Sequence, residues 1–236
     1  MAAYELFWFP GTCARVPYAA LEEIGEPFDI VVVDRSGQPR KNDYRGDVPQ
    51  GQVPALGVGD LIITENLAIQ QYLARRHPDA GLLPTGSPET DATVLETQSW
   101  FASWVHPLVR QLRLPFFFAD DPDAREAVRA KAHDGLRAAW TRIEARLGDR
   151  DWLFGEWSLC DVHMLWLWFR STGSGFDGTD FPACQAHALR CEARPSVAKV
   201  LQHEDDEWAR QVESGKIPPY VPRAFQAGRA PVIAAG

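Results

Sequence analysis

Gln52-Val53-Pro54-Ala55-Leu56-Gly57-Val58-Gly59-Asp60-Leu61-Ile62-Ile63-Thr64-Glu65-Asn66-Leu67-Ala68-Ile69 is the stretch on which the reading of this chain turns. A proline inside a short apolar strand removes a ladder donor and belongs at an edge or a turn. The Val53–Pro54 bond can be cis, and a cis bend there leaves the Val53 N–H and C=O outside the sheet, open to an extended peptide. Gly57-Val58-Gly59-Asp60 is a hairpin turn signal, and Leu61-Ile62-Ile63 returns as a second strand. Thr64 is placed to cap a helix, with Glu65 and Asn66 in its first turn. The N–H groups of a helix start favour a carboxylate, and Glu65 can hold an amine. The segment sets strand-like backbone pairing beside a place for an amino-acid head group.

Upstream, Tyr4 to Phe9 is apolar and suits a buried strand, which Gly11 breaks. Ala14 to Ile24 has helical composition and stops at Gly25, a C-cap signal. Phe28-Asp29-Ile30-Val31-Val32-Val33 is β-branched and reads as a strand. Strand, helix and strand at this spacing make a βαβ unit with parallel strands. Arg35 to Gln50 is polar and expected to be irregular. The order βαβ then ββα is that of a thioredoxin-like domain over residues 1–84. Residues 85–91, with Thr85-Gly86-Ser87-Pro88, read as a linker. Beyond it no strand pattern is visible. Ala92 to Phe118, Pro122 to Leu147, Leu159 to Ser171 and Ser196 to Ala209 predict an all-helical domain over 92–210. Ser158-Leu159-Cys160-Asp161 is a capping-box signature. Residues 211–236, rich in Pro, Gly and Ala, are expected to form an irregular tail.

Composition narrows the class. With 236 residues, 45% of them hydrophobic and 24% charged, the chain is an ordinary globular protein of one large or two modest domains. The net charge of −8 argues against nucleic-acid and anionic-membrane partners. No apolar run reaches the ~18 residues of a transmembrane helix. No secretory signal is visible, and Cys13, Cys160, Cys184 and Cys191 are too few and too irregular for a disulfide framework. A reducing cytoplasm is the expected location. Nine Trp and twelve Phe suggest an aromatic core and an aromatic-lined pocket.

The first strand runs into Phe9-Pro10-Gly11-Thr12-Cys13-Ala14-Arg15-Val16-Pro17. Proline is tolerated only in a first helical turn, so Pro17 puts the helix start near Thr12 to Ala14. Cys13 then sits at a helix N-terminus, where the dipole and N–H groups stabilise a thiolate, its own or that of a bound thiol. Cys-x-x-Val is not a dithiol centre. Cys160-Asp161-Val162-His163 has metal-like residue types, but the capping box accounts for Asp161, and no metal is expected.

These motifs resemble the glutathione transferases. In that family a V-P-A-L segment and a following acidic helix start form the glutathione site, which implies binding by Gln52, Val53, Pro54, Glu65 and Asn66. Asn66 stands where the family has serine and keeps both a donor and an acceptor. Pro10, Gly11 and Cys13 resemble the P-G-A-C-S run of the bacterial beta class, with Thr12 in place of alanine and Ala14 in place of serine. His106, in Trp104-Val105-His106-Pro107-Leu108, matches the histidine of that class's E-L-H helix. The resemblance implies a thioredoxin-like domain followed by helices, with Cys13, Thr12 and His106 as candidate catalytic groups. It also implies glutathione as co-substrate, an electrophilic apolar or aromatic substrate in a cleft, a homodimer and a detoxifying role. Disulfide exchange, lyase chemistry including aryl-ether cleavage, and a non-catalytic glutathione-binding scaffold remain as alternatives.

Overall fold

A computed structural model of the chain describes residues 3–33 and 51–215. The expectations for Arg35 to Gln50 and for the tail beyond 215 lie outside the described residues. β1 (Tyr4–Trp8), β2 (Phe28–Val32), β3 (Ala55–Val58) and β4 (Leu61–Thr64) form a four-stranded sheet in the order β2-β1-β3-β4. β1 and β2 are parallel, Leu6 lying opposite Ile30, while β3 runs antiparallel to both β1 and β4. Parallel neighbours need a crossover. It is α1 (Arg15–Ile24), which ends where Gly25 turns left-handed at φ 75° and donates its N–H to the Leu21 carbonyl.

The β4-to-α2 junction corrects the expected cap. Thr64 is paired with Ala55 in the β3–β4 ladder and cannot cap anything. α2 (Asn66–Arg76) begins one residue later, with Glu65 at the N-cap position. Strand passes into helix with no loop, so one residue must make the whole turn. Glu65 does so at φ 68°, the only positive φ at a non-glycine residue among those described. The Val53–Pro54 bond is cis. Pro54 precedes β3 rather than lying inside it, and Val53 falls outside the β1–β3 register.

The helices that follow are α3 (Pro88–Trp100), α4 (His106–Arg113), α5 (Pro122–Leu147), α6 (Leu159–Thr172), α7 (Pro182–Glu192) and α8 (Pro195–Glu213). The expected single helix over Ala92 to Phe118 is three pieces: α3, a π-helical turn over Phe101–Val105, and α4, which ends before a 3-10 turn at Pro115–Phe117. Composition does not distinguish a π turn from an α turn, and Pro107 is accommodated as the second residue of α4. α7 was not expected. Its first-turn N–H groups, at Ala183 and Cys184, are met by the Glu144 carboxylate of α5 at 2.8 and 2.9 Å, a cap supplied from another helix and invisible in the local sequence.

Contacts divide the chain into two compact units. Among the described residues, one holds those up to Leu83 together with Ala193, Arg194 and α8; the other holds Pro84–Glu192. In the first unit Phe7, Val33 and Ala55 form an apolar cluster with Val31, Val53 and Ile62 on one face of the sheet. Trp8, pointing to the other face, meets Tyr18 of α1 edge-on and stacks on His203 of α8 at 4.9 Å. α8, within the stretch expected as one helical domain, thus packs on α1. Buried Arg15 and Glu204 are joined by two bonds, at 3.2 and 2.6 Å, and Arg194 grips Glu23 at 2.7 and 2.8 Å. In the second unit every residue of α6 is buried. Asp161 anchors its start, accepting bonds from the backbone N–H groups of Leu153 and Ser158, from the Ser158 hydroxyl and from His187 Nε2, all within 2.9 Å. That is the capping box read from Ser158-x-x-Asp161, extended by two further partners.

Candidate active site

β1 ends at Trp8 and α1 begins at Arg15, so the intervening turn positions Thr12 and Cys13. Gly11 takes φ 68°, a conformation that a Cβ would penalise. The Thr12 hydroxyl donates to the Phe9 carbonyl at 2.7 Å, closing the turn. Its proton is therefore engaged within the turn, and what it presents to a ligand is a lone pair. The N–H groups of Arg15 and Val16 bond back to the Thr12 and Cys13 carbonyls, both at 3.1 Å, tightening the entry to α1. Cys13 stands just before the helix and is partly exposed.

Two separate segments converge on Cys13. Its Sγ lies 3.9 Å from the Val53 carbonyl, within the loose reach of an S–H donor. Its own carbonyl accepts a 3.0 Å bond from Asn66 Nδ2 at the start of α2. Asn66 Oδ1 in turn accepts from Gln70 Nε2 at 3.1 Å. Of the residues expected from sequence, Cys13, Val53 and Asn66 are brought into direct contact. Thr12, Gln52, Pro54 and Glu65 adjoin them along the chain, with Gln52 and Glu65 exposed and Pro54 buried. The arrangement offers a thiol at a helix start, the Val53 backbone outside the ladder, and the carboxylate and amide of Glu65 and Asn66 at a second helix start. An extended peptide with a charged amino-acid end matches those features.

His106, in the second unit, is the first residue of α4, directly after the π turn. Its ring packs edge-on against Trp166 of α6 at 4.6 Å. Burial, then the nearby Arg110 and Arg170 charges, hold its pKa down to about 4. At neutral pH it is therefore an uncharged imidazole, able to donate from one nitrogen and accept at the other. His163 of α6 is 2% exposed, and neither ring nitrogen has a hydrogen-bond partner among the described residues. Its pKa is pushed to about 3 by burial and then by His106. Sequence reading set His163 aside with the metal-like run and passed over Gln70. The available signal for Gln70 was a polar side chain at a helix position flanked by the core residues Ile69 and Leu73.

Residues 2–75 match the family described as "Glutathione S-transferase, N-terminal domain". A probable glutathione S-transferase of rice (Oryza sativa subsp. japonica) is 34% identical over 193 residues, covering 77% of this chain and 87% of its own. The crystal structure of a glutathione transferase homologue from Sulfitobacter with bound glutathione is 28% identical, with a TM-score of 0.77 over 86% of this chain and 99% of that one. A bacterial beta class glutathione S-transferase from Sphingomonas chungbukensis is 29% identical, with a TM-score of 0.72 over 85% of this chain and 98% of that one. The expected architecture, a thioredoxin-like sheet followed by helices, is the one these structures share. Identity at that level along most of a relative's length, joined to the same fold, places this chain in the glutathione S-transferase family.

Proposed function

We propose that this enzyme binds glutathione at the junction of α1, the 52–54 segment and the start of α2, and transfers its thiol to an electrophilic apolar or aromatic small molecule. The observation that carries this reading is the meeting of Cys13, Val53 and Asn66 within bonding reach. The cysteinyl part of glutathione pairs with the Val53 backbone, and Glu65 and Asn66 hold the γ-glutamyl end. The glutathione thiol then comes to the start of α1, beside Cys13 and the Thr12 hydroxyl. There the helix dipole favours the thiolate, and the thiol proton passes to solvent. The thiolate attacks the electrophilic carbon, a C–S bond forms, and the leaving group departs with its bonding pair. His106, in the second unit, is neutral at working pH and keeps both a donor and an acceptor for a ligand. A similar solved protein, from Sulfitobacter, carries glutathione, which supports the choice of co-substrate.

The partly exposed thiol of Cys13 favours a second reading, disulfide exchange. Its thiolate attacks the sulfur of a glutathionylated substrate, a mixed disulfide with glutathione forms, and the substrate thiolate leaves. Assays of an aryl halide and of a mixed disulfide, each with wild type and Cys13→Ala, separate the two. Loss of exchange with conjugation retained assigns Cys13 to exchange and conjugation to glutathione's own thiolate. Calorimetric titration with glutathione tests the site itself, and no saturable heat would end both readings. We further propose a symmetric homodimer of cytoplasmic, detoxifying function, the dimer being the commonest closed assembly. Light scattering should give twice the 26.4 kDa chain mass at micromolar concentration, and the monomer mass alone would refute it.

A further inference from the structure

We infer that Gln70 is a positioning residue for the Cys13 thiol, acting through Asn66. Gln70 is fully buried in α2, one turn beyond Asn66, and its neighbours Ile69 and Leu73 are core side chains with no exposure. An amide in such surroundings costs stability unless it is bonded, and a leucine or methionine would suit packing alone. What Gln70 bonds is the side chain that bonds Cys13: Nε2 to Asn66 Oδ1 at 3.1 Å, then Asn66 Nδ2 to the Cys13 carbonyl at 3.0 Å. The order of donors follows from chemistry. Two carbonyl oxygens do not face each other, so the Cys13 oxygen selects the NH2 of Asn66. The Asn66 oxygen is thereby turned to Gln70, where only an NH2 can meet it. The Cys13 carbonyl accepts the Val16 N–H as well, at 3.1 Å, so both its lone pairs are used and the peptide after Cys13 is fixed on two sides. The thiol is fixed with it, 3.9 Å from the Val53 carbonyl. Asn66 keeps a second N–H for a ligand carboxylate. One side chain therefore links the head-group end of the site to the thiol end, and Gln70 sets its orientation.

The inference rests on the proposed glutathione site only where glutathione enters, so its first readout is taken without glutathione. Iodoacetamide labelling of Cys13 is followed by mass spectrometry across pH 5 to 9 in wild type, Gln70→Met, Gln70→Glu, Asn66→Ala and the double variant Asn66→Ala/Gln70→Met. Gln70→Met should slow labelling at neutral pH by about threefold or more and move the profile upward, because the thiolate is less well held at the helix start. Gln70→Glu should do more, since its carboxylate repels Asn66 Oδ1. The double variant should match Asn66→Ala at Cys13, because the bond from Gln70 toward the thiol runs through Asn66. In the transfer assay, the KM for glutathione should rise several-fold with a smaller change in kcat. An unchanged Cys13 profile in Gln70→Met, with only a lowered Tm, would make Gln70 a packing residue and overturn the inference, as would additive effects in the double variant. If Gln70→Met does not fold, Asn66→Ala decides, because an unchanged profile there removes the link. Wild type that fails to bind glutathione would defeat the functional proposal and leave the labelling result to judge Gln70 on its own.

Discussion

Glu65 is held at φ 68° by a junction that leaves no room for a loop, a conformation that costs a non-glycine residue about 1–3 kcal/mol. Its exposed side chain makes no capping bond at the start of α2, so the local fold gains nothing from glutamate at this position. The cost is understandable if the carboxylate serves a ligand. Glu65→Gly should therefore raise stability by about 1 kcal/mol in urea denaturation while weakening glutathione binding. Glu65→Ala, which keeps the strain and loses the carboxylate, should weaken binding by about 1.5–3 kcal/mol in a calorimetric titration. Undiminished affinity in both variants would remove Glu65 from the site. Cys13 should be the first cysteine to be alkylated, because the other three are buried, and burial drives the Cys160 and Cys184 thiols well above the ordinary range. Brief labelling with mass-spectrometric mapping ranks the four, and earlier labelling of Cys184 or Cys191 would contradict the expectation. Pro17 was enough to place Cys13 at a helix start from sequence. The bonds from Asn66 and Gln70 were not readable, because they join residues that are far apart in the chain or depend on which way an amide is turned.

At the scale of elements, the sequence was clearest where a structural signal is local. The four strands could be read from apolar and β-branched runs, the hairpin from Gly57-Val58-Gly59-Asp60, α1 and α5 from helical composition with Gly25 ending the former, and α6 from its capping box. Asp161 does more than that signature reveals, since it also holds the Leu153 N–H and His187. Asp161→Ala would strand several buried donors together, and should cost about 3 kcal/mol or more in urea denaturation. A loss below about 1 kcal/mol, the level of an ordinary cap, would mean that the additional partners contribute nothing. The sequence was least clear where a signal is supplied from elsewhere. α7 takes its cap from Glu144, Thr64 lost its capping place to strand pairing with Ala55, and the π turn at Phe101–Val105 has the same residue types as the α-helix around it.

For the molecule as a whole, His106 and His163 predict the acid limb of stability. The unfolded chain takes a proton on each imidazole below about pH 6.5, whereas the folded chain resists until near 4 and 3 respectively. Between those limits the unfolded state binds more protons, so stability falls as pH is lowered through the window and is intact above it. His163→Phe should leave stability at pH 7 unchanged or higher, since it removes a buried imidazole whose nitrogens have no described partner. It should also lessen the drop between pH 7 and pH 4, measured as denaturation midpoints at the two values, and an equal drop in wild type and variant would refute this. The thioredoxin-like sheet and the helices after it were legible from the change from strand to helical patterns, but the return of α8 to the sheet was not, because the Arg15–Glu204 bridge joins residues at opposite ends of the chain. That bridge has a consequence for the order of events on the ribosome. The sheet unit is made first, yet until α8 emerges Arg15 lacks the Glu204 carboxylate and Trp8 the His203 imidazole. A chain halted before residue 195 should therefore hold an N-terminal half still waiting for its last helix.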